Sequence, residues 1–470
     1  MVNIMNGIRL TLRSFRTQQR LMGGGSRIFT NGSGIGSDSS MIDANHRMGH
    51  SPIQRACHSY TSSTFEKAGV NRLEISAHSF VQRSTFSSKE SGGMDDEYGE
   101  MTTEGHTYVH PEPFILENGA KLHNAQLRYM TYGTLNEARD NVLVVCHALT
   151  GNASLHSWWG DLLGPGLAFD TDKYFIVCSN ILGSCYGSSG PASYKKFTKE
   201  GEKYGIDFPD VSVQDTVRLQ LHMLRDDLEV NSIKCVIGGS FGGMQAVEYG
   251  AQAGKIDSAF AVDDKNGRAS PFVRSVMPIA CGAAHTAWQI AMSEVQRQAI
   301  YMDPKWNNGK PSPDDPPLKG LSVARQIGMI SYRTPIGYES KFGRNVREPL
   351  PKYGSGAKWE VKSYLEYQGF KFLSRFDPIT YLKLTEQMDT HDVGRNRGGK
   401  VNALSSVRIP AMVLGIDSDI LYPLHEQEEL AELFPNGELG VIHSDAGHDG
   451  FLLEQEQVAA HISEFLGAHD

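Results

Sequence analysis

The segment Gly238-Gly239-Ser240-Phe241-Gly242 restricts the fold of this chain more than any other feature. It follows Ile233–Ile237, an apolar run typical of a buried strand, and it leads into a helical pattern at Gly242–Ala253. A serine flanked by glycines between a strand and a helix is the G-x-S-x-G turn, which exposes a nucleophile above a sheet. The helix N-terminus favours negative charge that develops there. An inert serine in a glycine-rich turn is the alternative, and the strand-turn-helix context weighs against it.

Short apolar runs alternate with helical patterns beyond Tyr108. Strands are predicted at Asn141–Val145, Tyr174–Cys178, Ile233–Ile237, Ala259–Val262 and Ala411–Ile416, and helices at Val213–Leu228, Gly242–Ala253, Leu424–Leu433 and Gln455–Leu466. This alternation predicts a mostly parallel sheet with helices on both faces, and the serine turn makes it an α/β-hydrolase fold. Residues 271–403 break the alternation, which predicts an inserted helical lid between two parts of the core, 106–270 and 404–470.

The N-terminal region differs in composition from the rest. Five arginines precede the first acidic residue, Asp38, and apolar residues between Met1 and Phe15 recur at steps of four and three. This pattern is typical of a mitochondrial transit peptide, which we place at residues 1–40, followed by a disordered linker at 41–105. A disordered tail with chance periodicity is the alternative, and a cytoplasmic location would go with it.

Charge and cysteine content exclude several functions. The formal net charge is −9, which does not suit a nucleic-acid partner, and no run of about 18 apolar residues predicts a membrane span. The six cysteines include no CxxC pair, so a zinc site has little support, and they are interpreted as small core residues. No metal or redox cofactor is expected.

A serine nucleophile in this fold is followed along the chain by an acid and then by a histidine base. His448 is favoured as the base because it lies in a loop between the strand-like ELGVI and a final helix. Asp417 and Asp419 both follow the strand at Ala411–Ile416, and spacing barely separates them as the orienting acid. The competing histidines, which lie in the lid or beside a helix or strand, are His285, His391, His425 and His443.

Backbone amides are expected to stabilise the oxyanion of the reaction. The amide of Phe241 directly follows the nucleophile, and a second donor is expected from the loop at 145–151, after an early strand. His147 lies in that loop, but it precedes the nucleophile, so a structural role is favoured over a role as base.

With these residues the chain resembles the homoserine O-acetyltransferase family over nearly all of 108–470. The matching motifs are HALTGN at 147–152, NILGSCYGSSGP at 180–191, GGSFGGMQAVE at 238–248, QRQAIYMDPKW at 296–306 and DAGHDGFLLE at 445–454. The family includes homoserine acetyl- and succinyltransferases and serine O-acyltransferases, and these motifs do not separate its members. Phe241 replaces a methionine of many relatives, and residues 277–288 depart from the family's arginine- and serine-rich versions.

The resemblance implies a catalytic triad of Ser240, Asp419 and His448. It favours Asp419 over Asp417 because of the Leu-Tyr pair at 421–422. It also assigns the second oxyanion amide to Leu149, beside that of Phe241.

The resemblance further implies substrate contacts at Arg333 and Asp449. An amino-acid substrate offers a carboxylate to the arginine and an ammonium to the aspartate; a surface salt bridge is the alternative for Arg333. The expected enzyme moves an acetyl group from acetyl-CoA to L-homoserine through an acyl-serine, for methionine synthesis, and acts as a homodimer. Transfer of an acetyl or succinyl group to L-serine, for cysteine synthesis, is the alternative. A serine esterase or thioesterase is the alternative of another class.

Overall fold

The structure is a computed structural model, and it describes residues 105–195, 201–264, 266–347 and 358–469. The predicted transit peptide at 1–40 and all but the last residue of the predicted linker at 41–105 lie outside the described residues.

An eight-stranded sheet forms the centre of the described part of the chain. Its strands are β1 His106–Val109, β2 Gln126–Tyr132, β3 Val142–Cys146, β4 Phe175–Ser179, β5 Ile233–Gly239, β6 Val276–Ile279, β7 Ala411–Ile416 and β8 Gly437–Ile442. They lie in the order β1-β2-β4-β3-β5-β6-β7-β8. β2 pairs antiparallel with both β1 and β4, and the six strands β4-β3-β5-β6-β7-β8 pair parallel. The mostly parallel sheet predicted from the sequence is therefore confirmed.

Helices cover the sheet and form the lid. Their bounds are α1 Val213–His222, α2 Phe241–Ala253, α3 Ala287–Tyr301, α4 Leu318–Ser331, α5 Pro335–Phe342, α6 Glu360–Phe372, α7 Pro378–Asp389, α8 Lys400–Leu404, α9 Leu424–Leu433, α10 Gly450–Leu453 and α11 Gln455–Ala468. Helices α3 to α8 lie between β6 and β7 in the chain, and α3 to α7 fall within residues 271–403, the segment for which the sequence predicts a lid. We call α3 to α7 the lid. Within the described ranges, no helix is both long and apolar enough to span a membrane.

Strand β3 shows how the sheet divides the core. Its side chains alternate between the two faces, because successive residues of a strand point in opposite directions. Val142 and Val144 pack in one buried cluster, which includes residues of α1 and α2, whereas Leu143 and Val145 pack in a second cluster with α11. All four side chains are buried, as expected for a strand covered on both faces.

One predicted strand is wrong. Residues 259–261 lie in a turn region, and Val262–Asp263 pairs only with Ala269–Ser270 in a small hairpin. The sheet strand of this region is β6, which lies inside the predicted insertion 271–403. Its third residue is Pro278, which has no N–H to donate to the ladder, so the sequence does not resemble a strand. The first part of the predicted lid therefore belongs to the sheet.

Candidate active site

Ser240 lies in a strained turn between β5 and α2. Its backbone has φ 58° and ψ −119°, a conformation that non-glycine residues rarely adopt. The turn is held in place, since the Ser240 N–H donates to the carbonyl of Ile279 on β6 at 2.9 Å. A Cβ atom at Gly242 would lie 2.0 Å from the carbonyl oxygen of Cys146, and one at Gly238 would lie 2.4 Å from that of Gly242. The glycines thus let β3 and α2 approach closely enough to form the turn.

His448 and Asp419 form a buried pair at the carboxyl ends of β8 and β7. Nδ1 of His448 lies 2.7 Å from Oδ2 of Asp419. The other oxygen, Oδ1, accepts the N–H groups of Leu421 at 2.8 Å and Tyr422 at 2.9 Å. The side chain of His448 is 4% exposed and that of Asp419 is fully buried. Burial by itself would lower the pKa of His448, but the charge and hydrogen bond of Asp419, with the charge of Asp449, raise it overall.

Ser240 and His448 border the same pocket. Nε2 of His448 has no hydrogen-bond partner among the described residues, so it is available to a group in that pocket. The walls come from the core and the lid, and they include Leu149, Tyr332, Met388 and Phe451. This arrangement provides a nucleophile, a base and an orienting acid. The nucleophile is the buried serine, the base is the histidine, and the acid is the carboxylate, which binds Nδ1 and so fixes the tautomer of the histidine.

The loop after β3 contributes Leu149 to the pocket wall, and a buried histidine holds this loop in place. Nδ1 of His147 contacts the Ala148 carbonyl at 2.8 Å, and Nε2 accepts the N–H of Ile181 at 3.3 Å. Burial lowers the pKa of His147 to about 4, so the ring stays neutral and keeps this tautomer. His147 therefore has contacts that suit a structural role. Phe241 opens α2 directly after Ser240, where backbone N–H groups lack intrahelical partners.

The other four candidate histidines lie apart from the catalytic pocket or hold other contacts. Nε2 of His391 contacts the Gly282 carbonyl at 3.0 Å, and burial lowers its pKa to about 4. His443 is exposed and contacts Asp417, while His425 lies in the first turn of α9. His285 is buried and contacts the Tyr422 hydroxyl.

Comparison with known proteins identifies the family of the chain. A family model described as the α/β hydrolase fold matches residues 141–455. A homoserine O-acetyltransferase of Salinibacter ruber is 47% identical over 339 residues, which cover 72% of this chain and 91% of the relative. The chain belongs to the homoserine O-acetyltransferase family. It is therefore an enzyme of an acyltransferase family.

Solved structures support the same fold. A homoserine O-acetyltransferase from Bacillus anthracis matches with a TM-score of 0.67 at 24% identity, covering 77% of this chain and 97% of that one. The esterase E22 matches with a TM-score of 0.66 at 22% identity, covering 77% of this chain and 99% of that one. At these identities the likeness shows the fold alone.

Two arginines of the lid have different positions in this family member. Arg333 pairs with Asp449, with 2.7 Å between Nε and Oδ2, and both side chains are buried. Asp449 borders the catalytic pocket, but the pocket walls do not include Arg333. The arginine that borders the pocket is Arg325 on α4, which is 4% exposed and stacks over the Phe372 ring at 5.1 Å. Sequence reasoning missed Arg325. Its signal is its place in the buried stripe of α4, with Leu321, Ala324 and Gly328.

Proposed function

We propose that this protein is a homoserine O-acetyltransferase, which transfers an acetyl group from acetyl-CoA to the side-chain hydroxyl of L-homoserine. The observation that carries the proposal is one pocket bordered by Ser240, His448, Asp449 and Arg325. Such a pocket offers a nucleophile and base for acyl transfer, together with a buried charge of each sign for an amino acid. The names of the similar curated relatives favour homoserine as the acceptor. The product would enter methionine synthesis.

In the first half-reaction, Ser240 attacks the carbonyl carbon of the thioester. His448 takes the serine proton at Nε2, while Asp419 holds Nδ1 and stabilises the imidazolium. The amides of Leu149 and Phe241 would donate to the oxyanion. When the tetrahedral intermediate collapses, the carbon–sulfur bond breaks and the thiolate of CoA takes the proton from His448. The acetyl group is left as an ester on Ser240.

In the second half-reaction, the acceptor hydroxyl gives its proton to His448 and attacks the acetyl ester. The new ester bond forms as the bond to Ser240 breaks, and the proton returns to the serine oxygen. Arg325 would bind the acceptor carboxylate and Asp449 its ammonium, because these opposite charges border the pocket. Arg333 then acts indirectly, because its ion pair holds Asp449 in place.

L-Serine is the alternative acceptor, because it carries the same carboxylate and ammonium and differs from homoserine by one methylene. Pocket contacts with one methylene give only about 1–3 kcal/mol of discrimination, so an acceptor panel is needed. Succinyl-CoA is the alternative donor. Hydrolysis of the acyl-serine is the competing reaction, and the lid over the pocket would limit it by excluding water.

The experiment is a CoA-release assay on the purified full chain, with acetyl-CoA or succinyl-CoA combined with homoserine or serine. Acetyl-CoA with homoserine should give the highest kcat/KM. Rapid quench and mass spectrometry should show an acetylated Ser240 peptide in the absence of acceptor, and Ser240→Ala should show none. Fast CoA release that needs no acceptor would indicate a thioesterase, and absence of the label would contradict the acyl-serine.

A homodimer fits the surface of the lid. Helix α4 packs against both α3 and α6. The large apolar side chains that these three helices leave exposed include Val295, Val323, Ile330, Tyr367 and Phe370. Exposed apolar side chains on neighbouring helices favour a protein–protein contact here. Sedimentation equilibrium should give twice the mass of the chain, and a charged substitution such as Phe370→Glu should lower it to the monomer mass.

Residues 1–40 act as a mitochondrial leader in this proposal. The support is in the sequence, where five arginines precede the first acidic residue. A fusion of this segment to a fluorescent protein should localise to mitochondria in a eukaryotic cell. A fusion with all five arginines replaced by glutamine should stay in the cytosol, and a native fusion that does so would refute targeting.

A further inference from the structure

A buried histidine of the lid reaches the triad through a tyrosine, and an aspartate lies near its other nitrogen. His285 precedes α3, and Asp389 is the last residue of α7. Nδ1 of His285 lies 3.0 Å from the hydroxyl of Tyr422, and Nε2 lies 3.6 Å from Oδ1 of Asp389. The two rings are buried. This chain of polar groups is not used in the acyl-transfer steps described above.

Tyr422 contacts both members of the buried triad pair. Its ring stacks on the His448 imidazole, with 5.1 Å between centroids and 28° between planes. Its backbone N–H donates to Oδ1 of Asp419 at 2.9 Å. The position of this one residue therefore affects the plane of the base and the orientation of the acid.

We infer that His285 is a positioning residue that holds Tyr422 and, through it, the catalytic imidazole of His448. The inference rests on the proposed acyl-serine mechanism. Asp419 fixes the imidazole at Nδ1, and the rings of Phe451 and Tyr332 lie beside it, with 5.7 and 6.1 Å between centroids. Tyr422 is the nearest of the three rings and the one that stacks on the imidazole. The stacked Tyr422 ring restricts motion of the imidazole, and the bond from its hydroxyl to His285 restricts the tyrosine in turn. Nε2 is then kept aligned with Ser240.

The protonation states around His285 fit this arrangement. Burial lowers the pKa of His285 to about 3, and the neighbouring His391 and Arg297 act in the same direction. Burial also raises the pKa of Tyr422 well above its usual value, so the phenol keeps its proton. In the tautomer that carries its proton on Nε2, the neutral ring accepts the tyrosine proton at Nδ1, which lies 3.0 Å from the phenol oxygen. Asp389 is itself held by Arg297, with 2.7 Å between Oδ2 and Nη2.

The contact spans the lid and the core. His285 and Asp389 lie at the two ends of the helical insertion α3 to α7, whereas Tyr422 follows β7 of the sheet. The His285 N–H also donates to the carbonyl of His391 at 2.7 Å, which joins the two ends of the lid. The base is thus positioned by a contact that exists only when both ends of the lid are in place.

The test is the rate of Ser240 acylation in single-turnover experiments on the full chain, with acetyl-CoA and with p-nitrophenyl acetate as probes. Tyr422→Phe keeps the stacked ring and removes only the hydroxyl. His285→Leu removes the partner, while His285→Asn keeps an amide where Nδ1 lies. Tyr422→Phe and His285→Leu should each slow acylation by about three- to tenfold, the effect of one hydrogen bond. His285→Asn should recover most of the rate.

Two further readouts separate positioning from general destabilisation. The double variant should be no slower than the slower single variant, because both substitutions remove the same contact. The apparent pKa of acylation should also fall, since a looser His448–Asp419 pair loses part of what raises the pKa of His448. Acylation by Tyr422→Phe at the native rate and with the native apparent pKa would overturn the inference. Failure of the native protein to label Ser240 with either probe would instead overturn the proposed function.

Discussion

Two Asp–His pairs follow the same two strands, β7 and β8. Their nitrogen–oxygen distances are nearly equal, but the exposure of their side chains differs greatly. Nδ1 of His443 lies 2.8 Å from Asp417, and Nδ1 of His448 lies 2.7 Å from Asp419. In the first pair the side chains are 76% and 41% exposed, and in the second they are 4% and 0% exposed. A short Nδ1–carboxylate contact is therefore not enough to identify a catalytic base. What distinguishes the second pair is burial, and a free nitrogen that borders a pocket.

The surroundings of the two acids explain why the two Asp–His pairs should differ in their contribution to stability. Water screens the exposed pair, so its net contribution to stability is small, about 0–1 kcal/mol. The pKa of Asp417 is lowered, because hydrogen bonds from His443 and the Ser444 N–H outweigh the effect of its slight burial. Asp419 is enclosed and accepts two backbone N–H groups. Loss of a partner there leaves a buried group uncompensated, so substitutions in the two pairs should have very different costs.

The largest contrast is expected between the two histidines. His448→Ala should lower kcat by about 10⁴- to 10⁶-fold, since removal of the base disables the nucleophile. The matched variant His443→Ala should stay within about twofold of the native kcat, because it faces solvent. CoA release with homoserine present measures both. Comparable losses in the two variants would contradict the distinction.

The acids should show the same order with a smaller effect. Asp419→Asn should slow the chemical step by about 10³- to 10⁴-fold, because the amide favours the wrong tautomer of His448. Asp417→Asn should change it little, and both substitutions keep the side-chain volume. Single-turnover acylation of Ser240 provides the measurement. If Asp417→Asn were the more damaging variant, the orienting acid would be reassigned to the exposed pair.

The buried pair has a charged neighbour that the exposed pair lacks, which is the Arg333–Asp449 ion pair. Arg333→Ala should raise the KM for the acceptor by about ten- to a hundredfold and leave acylation by acetyl-CoA largely intact, because Asp449 would no longer be held for the ammonium. Arg344→Ala, at an exposed arginine in the same lid, is the control and should change neither step. Slower acylation in Arg333→Ala would indicate instead that this ion pair supports the geometry of the triad.

The smallest expected change is a displacement of the pH profile. His448 acts as base only when neutral, and its pKa is raised, so acylation should increase with pH through a pKa above about 6.5, the ordinary value for histidine. His443→Ala should leave this midpoint in place. Asp419→Asn should lower it, since the aspartate is what raises the pKa. Single-turnover rates across the pH range would show these shifts, and a native midpoint below the ordinary value would count against His448.

The sequence predicted the parts of the site whose signal is local. Strand β7 was predicted with its observed bounds, and the turn at Ser240 follows from its glycines. The choice between Asp417 and Asp419 could not be made from spacing, because both residues closely follow β7. They differ in how deeply their side chains are buried. The sequence did not indicate Arg325. It lies in the buried stripe of α4, whereas a charged residue of a helix is normally expected on the solvent-facing side. In each case the missing information lies in tertiary packing.

The order of the site along the chain has a consequence for synthesis. Ser240 comes first, the lid helices lie between residues 287 and 389, and His448 stands 22 residues before the end. Chains are made from the N-terminus and their early parts begin to fold first. During translation the serine therefore exists without its base until the whole lid has been made. A growing chain therefore lacks the complete triad, and cannot use it to hydrolyse cellular thioesters, until the lid segment has been made.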